Sequence, residues 1–193
     1  HKPGPSASTY IKVGGHISSM DLASAQLAAV DLLNPDAPTP LDRLFLLLTL
    51  LGYWKVLLPA ALVLWTRRRD VGGRLLLALI LTALVLFPLK MALDGERPFA
   101  RPNIRSVGAP EEDGSMPSGH AAFAFASAMA LGGAYPGKRR ILLVLAALVA
   151  LSRLYLGQHY PVDLVVGGVI GTAVGYLSAI LYPRLQKGLK GGG

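Results

Sequence analysis

The residues able to do chemistry fall into three short clusters. Lys90, Arg97 and Pro98 stand in KMALDGERP. Pro117, Ser118, Gly119 and His120 follow one another directly. Ser152, Arg153, His159 and Asp163 stand in SRLYLGQHYPVD. A phosphate ester spreads its charge over several oxygens, so its hydrolysis needs clustered cations and N–H donors. Arg97 and Arg153 offer forked donors for such oxygens, and Lys90 adds a point charge. Ser118 is a good residue to begin a helix. Backbone N–H groups at that helix start, around Ser118 and Gly119, form an anion site, and the glycine lets the backbone approach closely. His159 precedes Asp163 by four residues. If Pro161 opens a helix, that spacing lets the carboxylate reach one ring nitrogen. It fixes the tautomer and leaves the other nitrogen free to attack phosphorus.

Such residues need elements to hold them, and the composition says which. Of 193 residues, 52% are hydrophobic and only 16% charged. The apolar residues lie in runs long enough to cross a bilayer, which takes about 20 residues per helix. The expected fold is all-α, a polytopic membrane helix bundle of about five transmembrane helices with an N-terminal amphipathic helix. The spans fall at about 44–65, 72–93, 119–135, 141–157 and 161–182, within a single domain over 20–193. Gly and Ala in the third and fifth spans permit close helix packing. In the N-terminal helix, Leu22, Ala25, Ala29, Leu32 and Leu33 can share one face. The run 34–40, rich in proline, breaks it. Residues 1–19 read as an appended tail, with the native start at Met20.

Basic residues set the expected topology. Arg67, Arg68, Arg69 and Arg74 lie between spans one and two, and Lys138, Arg139 and Arg140 between three and four. Arg184, Lys187 and Lys190 follow span five. The positive-inside rule puts this side, with the C-terminus, in the cytoplasm. The three chemical clusters then share the extracytoplasmic end, together with Asp21, Asp31, Asp36, Asp42, Glu111, Glu112 and Asp113. Ionisable residues at span ends are functional candidates by default. Arg101 and Arg105 are expected as interfacial anchors, and Tyr53, Trp54, Trp65 and Tyr182 as interfacial aromatics. Lys55, inside span one, either snorkels or lines a mouth to the site. The net charge of +8 is explained by topology, so no nucleic-acid partner is expected. With no cysteine, thiolate and disulfide chemistry is excluded. Few acids and no carboxylate cluster suited to a hard ion leave neither a metal nor a cofactor expected.

The clusters resemble the three signature motifs of the type 2 phosphatidic acid phosphatase superfamily, which is related to vanadium haloperoxidases. The first motif, Lys, six residues, Arg-Pro, is met by Lys90 and Arg97-Pro98. The second, Pro-Ser-Gly-His, is met by Pro117 to His120. The third, Ser-Arg, five residues, His, three residues, Asp, is met by Ser152-Arg153, His159 and Asp163. No motif position departs, and order and gaps also fit. The resemblance implies a metal-independent membrane lipid phosphatase in which His159 forms a phosphohistidine. It implies that His120 protonates the leaving oxygen and later activates water. Lys90, Arg97, Ser118, Gly119 and Arg153 would bind phosphate, and Asp163 would orient His159. The partners are then the bilayer and a membrane lipid phosphate. By the family, polyprenyl (undecaprenyl) diphosphate is slightly favoured over phosphatidylglycerol phosphate or phosphatidic acid. A vanadate-dependent haloperoxidase has a similar site, but those enzymes are soluble and larger. A catalytically dead lipid-binding protein would not need an intact nucleophile and acid. Oligomeric state is left open by the sequence.

Overall fold

Small residues decide the centre of the bundle. The computed structural model describes residues 19–93 and 95–191. The helices are α1 (Ser19–Leu33), α2 (Leu41–Thr49), α3 (Trp54–Arg67), α4 (Arg69–Ala92), α5 (Gly119–Ala134), α6 (Arg139–Tyr155) and α7 (Pro161–Gly191). No strand occurs among the described residues. In α5, Ala121, Ala122, Ala126 and Ala130 are buried with no side chain beyond a methyl. Across from them, Gly167, Gly171 and Gly175 of α7 recur every four residues and so share one helix face. A Cβ at these glycines would overlap the backbone carbonyl oxygens of Ser118, Ala122 and Ala126 respectively. The two helices therefore pack backbone to backbone, the arrangement small residues allow between membrane helices.

The other helices surround this pair and turn apolar side chains outward. Phe87 is 71% exposed, Leu84 65%, Val169 65% and Val63 60%. Exposed apolar side chains on several helices, over a core of small residues, fit a hydrocarbon solvent better than water. α4 and α7 are long and apolar enough to cross a membrane. α5 has 16 residues and α6 has 17, about 24–26 Å at the α-helical rise. They fall short of a hydrocarbon core of about 30 Å.

The run 44–65, expected as one span, is a bent pair. α2 passes through a 3₁₀ turn, Leu50–Gly52, and restarts as α3 at an angle of 52°. Tyr53 is extended at the break, with ψ 116°. Gly52 lies so close to α5 that a Cβ would stand 2.6 Å from the His120 carbonyl oxygen. The α1 face also differs from the expected one. Val30 is buried, with Leu27 packed beside it against Ile104, Ala150, Leu154 and Leu164. Leu22, Leu32 and Leu33 are instead exposed. Docking on α6 and α7 selects that face, because Asn34 at the end of α1 bonds the Arg105 and Tyr155 carbonyls at 2.8 and 2.7 Å. Arg105, expected as an interfacial anchor, donates from Nη2 to both carboxylate oxygens of Asp42 at 3.0 Å and fastens the loop to α2. The expected tail falls, but for Ser19, outside the described residues.

The two ends of the bundle differ in charge. At one end Arg74 Nη1 donates to the Ala179 carbonyl at 3.1 Å, and Tyr182 Oη to the Arg69 carbonyl at 3.1 Å. The basic turn between α3 and α4 thus meets the last part of α7. The three motif clusters meet at the other end. Gly171→Ala should lower thermal stability in detergent by about 1–3 kcal/mol through overpacking. Gly137→Ala, with open space around it, should leave the melting temperature unchanged. Equal melting temperatures for the two variants would contradict the close α5–α7 contact.

Candidate active site

Local sequence signals place each side chain. α6 ends in a Schellman motif: Gly157 N–H bonds the Leu154 carbonyl and Gln158 N–H the Arg153 carbonyl, both at 3.0 Å. Gly157 takes φ +69°, where a side chain would be strained, and a Cβ there would stand 2.5 Å from the Arg105 carbonyl oxygen. The chain turns back at this point, so His159 follows Arg153 into one buried region. Pro161 then opens α7. Asp163, in its first turn, reaches back to accept the Tyr160 N–H at 2.8 Å, as the third residue of a capping box does. Its own carbonyl accepts the Ser118 N–H at 3.0 Å. That bond ties the start of α7 to the start of α5.

All eight residues expected at the site come together. Lys90, at the end of α4, reaches the Gly114 carbonyl at 2.8 Å and Asp113 Oδ2 at 2.9 Å. Arg97 is 4% exposed and Arg153 4%, while His159 is fully buried. Arg97 Nη1 lies 3.2 Å from His159 Nε2 and donates to the Gln158 carbonyl at 3.0 Å. Arg153 Nη1 donates to Thr49 Oγ1 at 3.1 Å. His159 Nδ1 faces Asp163 Oδ2 at 3.6 Å. At that distance the two groups face each other without a hydrogen bond. Asp163 Oδ2 is held instead by Ser115 Oγ at 2.5 Å and by Tyr160 N. Ser118 caps α5, its hydroxyl accepting the Ala121 N–H at 3.4 Å. Because Asp163 takes the Ser118 N–H, the donors left at the helix start are Gly119 and His120, which have no intrahelical acceptor.

The sequence reading missed the carboxylate at the centre. Glu111 sits between the two arginines and the two histidines. Its Oε1 lies 2.7 Å from Arg153 Nη2 and 3.4 Å from His120 Nδ1. Its Oε2 lies 2.7 Å from Arg97 Nη2 and 3.7 Å from His159 Nε2. Burial pushes the Glu111 carboxyl up. His159, Arg153, His120 and Arg97 outweigh it and hold the carboxyl well below the usual carboxylate range. Asp113 is lowered likewise, burial being offset by Lys90 and Arg97. The available signal was three consecutive acids in a loop joining two basic motifs. Two further partners were unforeseen. Thr49 comes from bent α2, and the ring of Tyr53, expected as an interfacial aromatic, stacks on His120 at 5.6 Å and 4°.

A cavity of about 690 Å³ opens beside this cluster between α3, α4 and α5. Its walls are apolar at Leu58, Leu79, Ile80 and Phe87, and polar at Lys55, Lys90, Glu111 and His120. Lys55 is thus part of the cavity wall. Basic groups around one half-buried carboxylate, beside an apolar cavity, suit an anionic head on an apolar tail.

The chain is similar to known proteins. A family model described as the PAP2 superfamily matches residues 72–187. An undecaprenyl-diphosphatase of Sulfolobus acidocaldarius is 30% identical over 151 residues, 76% of this chain and 73% of that protein. The crystal structure of Aquifex aeolicus LpxE is similar with TM-score 0.70 and 31% identity, covering 80% of this chain and 94% of that one. A transmembrane PAP2-type phosphatidylglycerolphosphate phosphatase from Bacillus subtilis gives TM-score 0.68 and 25% identity, with 89% of each chain covered.

The depressed Glu111 value has a consequence for stability. The folded protein binds that proton more weakly than the unfolded chain, so the contribution is complete above about pH 4.5 and is lost as pH falls. The gap in melting temperature between the wild type and Glu111→Gln should be widest near neutrality and close on acidification. A gap independent of pH would show that the carboxylate carries no charge coupling.

Proposed function

Because the chain belongs to the PAP2 superfamily, we propose that this membrane phosphatase hydrolyses lipid diphosphates through a phosphohistidine on His159. A polyprenyl diphosphate such as undecaprenyl diphosphate is the favoured substrate. The observation that carries this reading is the position of the Glu111 carboxylate, which marks where an anion sits: between Arg97 and Arg153, with His159 Nε2 and His120 Nδ1 both turned toward it.

In this mechanism a terminal phosphoryl group takes that position. Arg97, Arg153 and Lys90 hold its oxygens, with the N–H groups at the start of α5. The ring nitrogen Nε2 of His159 attacks phosphorus while Asp163, at Nδ1, orients the ring and stabilises its positive charge. The bond from phosphorus to the bridging oxygen breaks, and His120 gives that oxygen a proton. Water then attacks the phosphohistidine. His120 takes the water's proton, inorganic phosphate leaves and His159 is restored. The Tyr53 ring, stacked on His120, fixes the plane of the imidazole. The cations supply the positive charge that the developing oxyanion needs.

The lateral cavity supports a substrate whose tail stays in the bilayer. The basic turns at the opposite end of the bundle support a site on the extracytoplasmic side with a cytoplasmic C-terminus. The name of the Sulfolobus relative favours a diphosphate, and that of the Bacillus structure keeps phosphatidylglycerol phosphate as the second substrate.

Release of inorganic phosphate from a panel of lipid phosphates in detergent tests the proposal. Polyprenyl diphosphate should give the highest kcat/KM, and a chelator should leave the rate unchanged. His159→Ala should lower kcat about 10⁴-fold or more, as loss of a nucleophile does in other hydrolases. Full activity in that variant would sink the mechanism.

A further inference from the structure

The geometry points to Glu111 as a built-in competitor for the phosphate seat, one that a phosphate monoester or diphosphate is charged enough to displace and a phosphodiester is not. This rests on the reading of the seat as the phosphoryl site. A carboxylate presents two oxygens and one negative charge. Here one oxygen meets Arg153 and His120, the other Arg97 and His159. These are the contacts two oxygens of a phosphoryl group would take. With Oε2 at 3.7 Å from His159 Nε2, phosphorus cannot reach attacking distance until the carboxylate leaves. Binding is therefore an exchange of one anion for another, and the apparent affinity of any ligand falls by the fraction of time the seat is free.

The exchange has a path and a sorting rule. Glu111 belongs to the segment that walls the cavity together with Glu112 and Asp113. Gly108, at φ +90°, and Gly114 bracket that segment. Displacement toward the cavity needs no change in the helices. The sorting follows from charge. A phosphodiester, the head group chemistry of ordinary bilayer lipids, brings two free oxygens and one charge, no more than Glu111 already supplies. A monoester dianion or a diphosphate brings a further oxygen and further charge. The Nε of Arg153, buried and without a partner among the described residues, is a donor that Glu111 leaves unused. The same competition acts on the product, because return of the carboxylate expels inorganic phosphate.

Two measurements on the purified protein in detergent test this. Calorimetry reads binding of inorganic phosphate without turnover. Phosphatidylglycerol, a monoanionic diester, is titrated as an inhibitor of hydrolysis in mixed micelles. Glu111→Gln should bind phosphate about tenfold more tightly or better, equivalent to one hydrogen bond to a charged group. Its inhibition constant for phosphatidylglycerol should fall by a similar factor. Glu111→Asp, one methylene shorter, should lie between it and the wild type, and reports if the glutamine variant does not fold. Glu96→Gln removes an exposed acid of the same loop and should change either constant less than twofold. Unchanged phosphate affinity in Glu111→Gln would overturn the competition, and tighter phosphate with unchanged phosphatidylglycerol inhibition would overturn the exclusion of diesters by the carboxylate. If the wild type released no phosphate from any lipid while Glu111→Gln still bound phosphate more tightly, the phosphatase reading would fail and the displaceable carboxylate would stand.

Discussion

Three cations brought to one point at the end of an apolar bundle set the terms for everything around them. Arg97 and Arg153 are almost completely buried, and Lys90 stands beside them. Like charges out of water are tolerated only when paired and hydrogen-bonded. The loop over 95–118 meets that demand. It folds inward so that Glu111 and Asp113 face all three, with the carbonyls of Asp113 and Gly114 as further acceptors. Asp163 is kept apart from this exchange. Ser115 and the Tyr160 N–H hold it beneath His159, so it stays on the far side of that imidazole whatever fills the seat.

The two histidines can converge because α5 and α7 touch at their backbones. With Gly167 against Ser118 and Gly171 against Ala122, the two helix starts lie close enough for the Ser118 N–H to reach the Asp163 carbonyl. That one bond relates His120, second in α5, to His159, just before α7. Larger residues at the contact would part the two helix starts, and with them the two imidazoles proposed to act on one phosphoryl group. Packing in the middle of the membrane and geometry at its surface are one constraint.

This division explains what could be read from the sequence. The motif residues were legible because their types and spacing are local, and positive charge marks the opposite end of the bundle in single-letter code. The helix starts at Gly119 and Pro161 were legible too, because Ser118 and Pro161 are strong starting residues. The break at Gly52 and Tyr53 was not. Leu44 to Trp65 is apolar but for a few residues such as Thr49 and Lys55, and the helix breaks where Gly52 is pressed against the His120 carbonyl and the Val149 side chain. The buried face of α1 was likewise decided from outside, by Asn34 bonding across to Arg105 and Tyr155. Glu111 was hidden for a related reason. An acid in a loop reads as a solvated surface group, and nothing local says that the loop folds back over two arginines.

The bend in the 44–65 segment joins the polar seat to the bilayer. A straight span there would keep one line past α5. Instead α2 leans on α6 and gives Thr49 to Arg153 and Asp42 to Arg105, while α3 leaves at 52° and packs on α4. Beside the bend the cavity opens between α3, α4 and α5, lined by Leu79 and Leu86 and by Lys55, Lys90 and His120. Gly52 lets the bend press against the start of α5, and Tyr53, the first residue past it, lays its ring on His120. The group proposed as the acid is thereby held by the same turn that opens the path for the leaving lipid. Holding the imidazole proposed as the acid and admitting an apolar tail are opposite demands on one helix, and breaking that helix at a glycine satisfies both.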